Sequence, residues 1–61
     1  MNLEIGSKYK LNFEVGGRIL TYTGKIISCE DGFVVFLDKF NKEITYNLNS
    51  LINVEVLSQN D

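Results

Sequence analysis

Reactive side chains are scarce in this chain, and their spacing decides which chemistries are open to it. The 61 residues include one cysteine, Cys29, and no histidine. Acid–base catalysis near neutral pH most often uses imidazole, so that route lacks its usual group. Cys29 lies between Ser28 and Glu30, and neither neighbour would lower its pKa or activate it as a nucleophile. It reads as a small residue of a bend or core. Glu30, Asp31 and Asp38 stand in turn contexts where carboxylates are ordinary, so paired-carboxylate hydrolysis is not indicated. One thiol without histidine cannot complete a four-ligand zinc site. The dispersed glycines form no phosphate-cradling loop that opens a helix. The expectation is a non-enzymatic protein with no catalytic residue, metal or cofactor.

Binding chemistry is better supplied. Lys39-Phe40-Asn41-Lys42 forms a polar turn in which a base could stack on Phe40 while the lysines meet phosphate. Lys8 and Lys10 share one face of a strand, with Arg18 and Lys25 further along. The competing reading folds Phe40 back onto its own domain and leaves the lysines merely solvated. The whole chain carries six basic against eight acidic residues, a net charge of −2. That balance argues against strong, non-specific binding to nucleic acid, whose affinity comes from phosphate neutralisation, but it leaves room for a local site.

The elements that must position these groups are strands. Lys8 to Val15 alternates Tyr9, Leu11, Phe13 and Val15 with Lys8, Lys10, Asn12 and Glu14, which puts the first set on a core face. Gly16-Gly17 suits a primed hairpin turn. In Arg18 to Glu30, Leu20, Tyr22, Gly24 and Ile26 share a phase, and Ile27 and Cys29 then carry apolar character on the other. A phase change just after a glycine marks a bulge or sharp bend, although two shorter strands would read similarly. Asp31-Gly32 is a second turn. Phe33 to Leu37 is uninterruptedly apolar and predicts a central strand covered on both faces. Asp38 to Lys42 is a third turn, with Asn41 suited to the left-handed conformation. Glu43 to Leu48 alternates again, Asn49-Ser50-Leu51 suits a 3₁₀ turn, and Ile52, Val54 and Val56 alternate in a last strand. Residues 58–61 are a polar tail expected to fray.

One domain spanning 1–61, with its core over about 8–57, is the expectation from length. A domain this short has a thin stability margin and no disulfide to help it, so tight packing or burial against other copies must serve. No apolar run reaches the roughly 20 residues of a membrane span. The first residues lack the basic start and apolar block of a signal peptide. A cytoplasmic protein with no membrane partner is the expectation. The fold class predicted is all-β: a small five-stranded barrel with strongly bent antiparallel strands.

This order of strands, with a bent second strand and a 3₁₀ turn before the last, resembles the SH3-like small barrels, and among them the Sm-like proteins. In the first Sm motif a glycine on the second strand is followed six positions later by an acidic residue, then an apolar residue and an asparagine. Gly24 and Glu30 have that spacing and Phe33 takes the apolar place, while Val34 stands where the asparagine would be. Asn49-Ser50 stands where the second motif has a basic residue and glycine. The resemblance implies an Sm-like barrel that self-associates into a ring, the last strand of one subunit pairing with the bent strand of the next. It also implies RNA binding through loops, for which the candidates are Phe33, Lys39, Phe40, Asn41, Lys42 and Asn49. Ile52, Val54 and Val56 belong to an unblunted edge strand that a second copy would cover. The run from Phe36 to Asn41 is similar to the Tudor branch of the same class, whose aromatic cages read methylated cations. Tyr9, Tyr22, Phe40 and Tyr46 would be the cage candidates. The alternative function is therefore a protein-interaction or structural adaptor with no nucleic-acid role.

Overall fold

The computed structural model describes residues 3–59. Five antiparallel strands form one sheet: β1 (Lys8–Val15), β2 (Arg18–Glu30), β3 (Phe33–Leu37), β4 (Glu43–Asn47) and β5 (Leu51–Ser58). Their spatial order is β4-β3-β2-β1-β5, so β4 and β5 are its two ends. A 3₁₀ turn over Leu48–Ser50 joins β4 to β5. The N-cap of that turn is Asn47, whose side-chain oxygen accepts the Asn49 amide N–H at 2.9 Å.

Glycine and turn chemistry set the hairpins. Gly16 and Gly17 take φ values of 59° and 79°, the two positive values of a type I′ turn, whose twist matches that of the flanking strands. Asp31 and Gly32 repeat the device between β2 and β3. Asn41 takes the left-handed conformation expected of it, at φ 61°.

The thirteen-residue β2 serves two partners. It pairs with β1 over Arg18–Lys25 and with β3 over Lys25–Glu30. A register shift between Ile26 and Ser28 makes Ile27 the bulged residue, so the expected bend is present and the strand is continuous. The bulge also divides the two residues that sequence placed on one phase. Cys29 turns inward, opposite buried Val34, while Ile27 points out.

Bending at this point folds β3 and β4 over the face of β1 and β2, and the core fills with aromatic rings. Tyr9, Leu11, Phe13, Ile26, Val34, Phe36 and Leu51 are buried. Phe13 stacks on Tyr46 at 4.4 Å between ring centroids and on Phe36 at 5.9 Å. Tyr22 meets Phe36 edge-on at 5.3 Å. Such pairs add about 0.5–1.5 kcal/mol each beyond the area they bury. Gly24 makes the close approach possible. A Cβ built there would lie 2.4 Å from Phe36 Cδ2 and 2.9 Å from Cγ.

Several expectations need correction. Val15 was assigned to the core face but is 42% exposed, because β1 outruns its cover at the hairpin end. Ile52 is also exposed, since a shift between Asn12 and Phe13 leaves it bulged out of the β1–β5 ladder. Val54 and Val56 pair with inward Leu11 and Tyr9, but Val56 stays exposed at the open rim. β3 is not fully covered: Val35 and Leu37 are half-buried and Phe33 is exposed. The 3₁₀ turn starts one residue earlier than its pattern indicated, and β5 runs to Ser58, into the expected tail. Asn60 and Asp61, the end of that tail, and Met1 and Asn2 lie outside the described residues. Leu3 to Ser7 is neither helix nor strand, and is held to β2 by Gly6 N–H to Ile26 C=O at 2.8 Å and Ile26 N–H to Ser7 C=O at 3.0 Å.

Gly24→Ala should destabilise the protein by about 1–3 kcal/mol, as overpacking of a filled core does. Urea unfolding followed by tyrosine fluorescence measures this; a stability equal to the parent would show that Phe36 does not depend on the missing Cβ.

Candidate nucleic-acid interface

The β3–β4 turn is built to hold its shape. Asp38 Oδ1 accepts the amide N–H groups of Phe40 at 2.8 Å and Lys42 at 2.9 Å. The Asp38 amide N–H donates to Lys42 C=O, and the Asn41 amide N–H to Asp38 C=O. A side chain that satisfies its own backbone in this way fixes a turn. Phe40 projects from it, 72% exposed. The ammonium of Lys39 stands 5.3 Å from the Phe40 ring centroid, within cation–π range. Phe40 thus does not fold back onto the sheet.

Because Leu37 is the register partner of Lys25, the turn continues alongside the first half of β2. Two adjoining hollows open there. The larger, about 390 Å³, lies between Phe40, Lys39 and the Thr21–Thr23 stretch, with Lys10 and Asp38 on its rim. The smaller, about 240 Å³, is bordered by Lys8, Lys25, Lys39 and Asn41. Thr23, Asp38 and Lys39 belong to both. Four lysines from three parts of the chain therefore meet around one carboxylate, and that carboxylate already accepts two amide protons. Glu55 is the nearest opposing charge by register, across from Lys10 on β5.

The six candidate ligand-binding residues separate into two groups. Lys39, Phe40, Asn41 and Lys42 share the turn, although Lys42 borders neither hollow. Phe33 lies at the other end of β3, opposite Glu30 and Asn47, and Asn49 lies beyond Asn47 in the 3₁₀ turn. Phe33 and Leu37 are four steps apart along the strand, about 13 Å. Lys8, Lys10 and Lys25, noted from sequence as basic residues outside the six, complete the turn's surroundings together with Thr21 and Thr23, which were not singled out. A signal for them exists: a two-residue turn at Gly16-Gly17 fixes the register, and Lys8 and Lys25 are equally distant from it.

The four cage aromatics do not converge. Tyr9 is buried, with its hydroxyl oxygen accepting the Glu4 amide N–H at 2.8 Å. Tyr22 and Tyr46 are half-buried and pack against the core cluster. Only Tyr22 and Phe40 border a common hollow. The Tyr22 and Tyr46 hydroxyls lie 2.9 Å apart and join the two halves of the folded sheet. The hydrogen bond with Tyr22, then burial, raises the Tyr46 phenol above the usual tyrosine value of about 10.

The edge residues Ile52, Val54 and Val56 lie on β5, whose outer side carries no partner strand. The bent strand β2 is paired with β1 along Arg18–Lys25 and with β3 along Lys25–Glu30, which leaves Arg18–Gly24 open on the flank away from β1. β4 presents its whole outer edge. Among the described residues no group of three His, Cys, Asp or Glu side chains is placed to hold a metal ion. None of the described helices is long and apolar enough to cross a membrane. No protein-family model and no curated protein matches the chain.

Stability should fall on the alkaline side through the tyrosine pair. The folded state keeps Tyr46 protonated at pH values where the unfolded chain has begun to ionise it. Stability intact below about pH 10 is therefore lost as pH rises beyond it. Tyr46→Phe should flatten this decline in urea titrations between about pH 10 and 12; equal slopes for parent and variant would show that the hydroxyl pair does not retain the proton.

Proposed function

We propose that this chain is a non-enzymatic binding module, an Sm-like member of the SH3-like barrels, that works in the cytoplasm as a homo-oligomer and binds single-stranded RNA. The fold reading is supported by the strand order, the bulged β2, the 3₁₀ turn before β5 and the return of β5 to β1. The observation that carries the RNA reading is the exposed Phe40 on a self-braced turn, next to four clustered lysines. An exposed ring, with Lys39 over one side, offers a stacking platform for a base, and the neighbouring lysines offer partners for the backbone. The unpaired thiol of Cys29 fits a reducing compartment.

Self-association is supported by the two bare ends of the sheet. The outer edge of β5 from one copy would add to the outer edge of β4 of the next, a head-to-tail contact that can close into a ring. A protein-adaptor reading has one observation in its favour. Antiparallel alternation from the Gly16-Gly17 turn aims the backbone groups of Ile19, Thr21 and Thr23 away from β1, toward the open hollow, where an extended peptide could pair. Pull-downs that survive nuclease treatment would favour this adaptor reading.

Fluorescence anisotropy with labelled oligo-U and oligo-A tests the RNA reading. Binding that weakens with salt is expected, and Phe40→Ala should cost about 1–3 kcal/mol, the value of one stacked base. No binding at roughly 50 micromolar protein in low salt, where even non-specific complexes form, overturns it. For assembly, light scattering after gel filtration should report a multiple of the 6.9 kDa chain. Ile52→Lys with Val56→Lys, both at exposed positions, should return the single chain, since lysines blunt an edge. A 6.9 kDa species for the parent at micromolar concentration removes the ring.

A further inference from the structure

Lys8 and Lys25 are register partners, directly opposite one another on β1 and β2. Their neighbours show which kind of pair they form. The next rung is hydrogen-bonded, with Ile26 N–H to Ser7 C=O at 3.0 Å. Counting from the two-residue turn at Gly16-Gly17 gives the same alternation. Lys8 and Lys25 therefore form a non-hydrogen-bonded pair, the closer of the two kinds, with Cα atoms about 4.5 Å apart. Like charges placed directly opposite destabilise a sheet. Both side chains are exposed, both border the 240 Å³ hollow, and Lys39 borders it from the β3–β4 turn.

Three lysines thus border one small hollow, with a single carboxylate beside them, so the hollow carries an excess of positive charge. The one carboxylate there, Asp38, has an oxygen engaged by the Phe40 and Lys42 amides. Across β1, the β5 residue opposite Lys8 is Ser58, which carries no charge, and Glu55 faces Lys10 instead. We propose that Lys8 and Lys25 form the seat of a phosphoryl group, with Lys39 closing its far side and the Thr23 hydroxyl beside it. Lysine ammonium is a compact point charge suited to phosphate oxygens. The bound anion removes the repulsion that the empty pair carries. The site takes a phosphodiester of single-stranded RNA or the phosphate of a small ester. It deepens the RNA reading and rests on that reading for the first source alone.

The test compares Lys25→Gln with Arg18→Gln, which removes an equal charge at the hairpin end, opposite Val15. Two probes are used: labelled oligo-U by anisotropy, and inorganic phosphate by amide NMR shifts at Lys8, Thr23, Lys25 and Asn41. Lys25→Gln should melt above the parent, because it relieves the like-charge pair. It should also bind oligo-U about tenfold more weakly, the loss of one charge-assisted contact. The slope of log affinity against log salt should shrink by about 0.7, the single-strand value for one phosphate. Phosphate should shift the four amides in the parent and in Arg18→Gln but not in Lys25→Gln. If phosphate binds in this lysine-dependent way and oligo-U does not, the seat holds a small phosphate ester and the RNA reading falls. If oligo-U binds the parent and both variants equally, or both variants weaken equally, the seat is overturned while RNA binding stands. If neither probe binds, both are overturned.

Discussion

The contact between the Phe36 ring and the backbone of Gly24 governs this structure. A flat sheet of five short strands would have no interior. By letting Phe36 rest where a Cβ would otherwise stand, Gly24 allows β3 and β4 to lie over β1 and β2. Phe13 and Tyr22 then meet Phe36, Tyr46 packs on both of them, and the four rings supply most of the aromatic bulk of the core. The bulge at Ile27 completes the bend by letting Ile26 and Cys29 both turn inward. In a domain this small, with no disulfide, stability rests on close packing of this kind.

The same bend arranges the charges. It carries the β3–β4 turn back beside the first half of β2, so that lysines far apart in sequence surround two adjoining hollows. Glu30 and Asp31 stand at the other end of the β2–β3 hairpin, about 17 Å of strand from Lys25. A net charge of −2 thus conceals a local cluster of lysines around the two hollows. Such an asymmetry orients the molecule toward an anionic partner while keeping non-specific attraction low.

How legible this was follows from the physics of each part. The bounds of β1, β2, β3 and the three turns were readable, because alternation and positive-φ residues are local properties of the chain. Val15 and Ile52 were misplaced because an overhanging strand end, or a bulge without a phase change, leaves no mark on a two-residue period; at Ile27 the phase change marked the bend but not which residue it turns outward. The turn from Lys39 to Lys42 was recognisable from its composition. The lysines that join it were visible singly, but their convergence depends on register and on the fold of the sheet across β2. Phe33 and Asn49 were chosen by family spacing, and strand length carries them to the far end.

The pairing of β1 with β5 sets when the sheet is completed in folding. Lys8–Val15 forms a local hairpin with β2, but its other flank is filled only by Leu51–Ser58. Until β5 docks, the backbone edge of β1 stays bare. Completion therefore waits on a contact between residues some forty positions apart, the slow kind of step in folding.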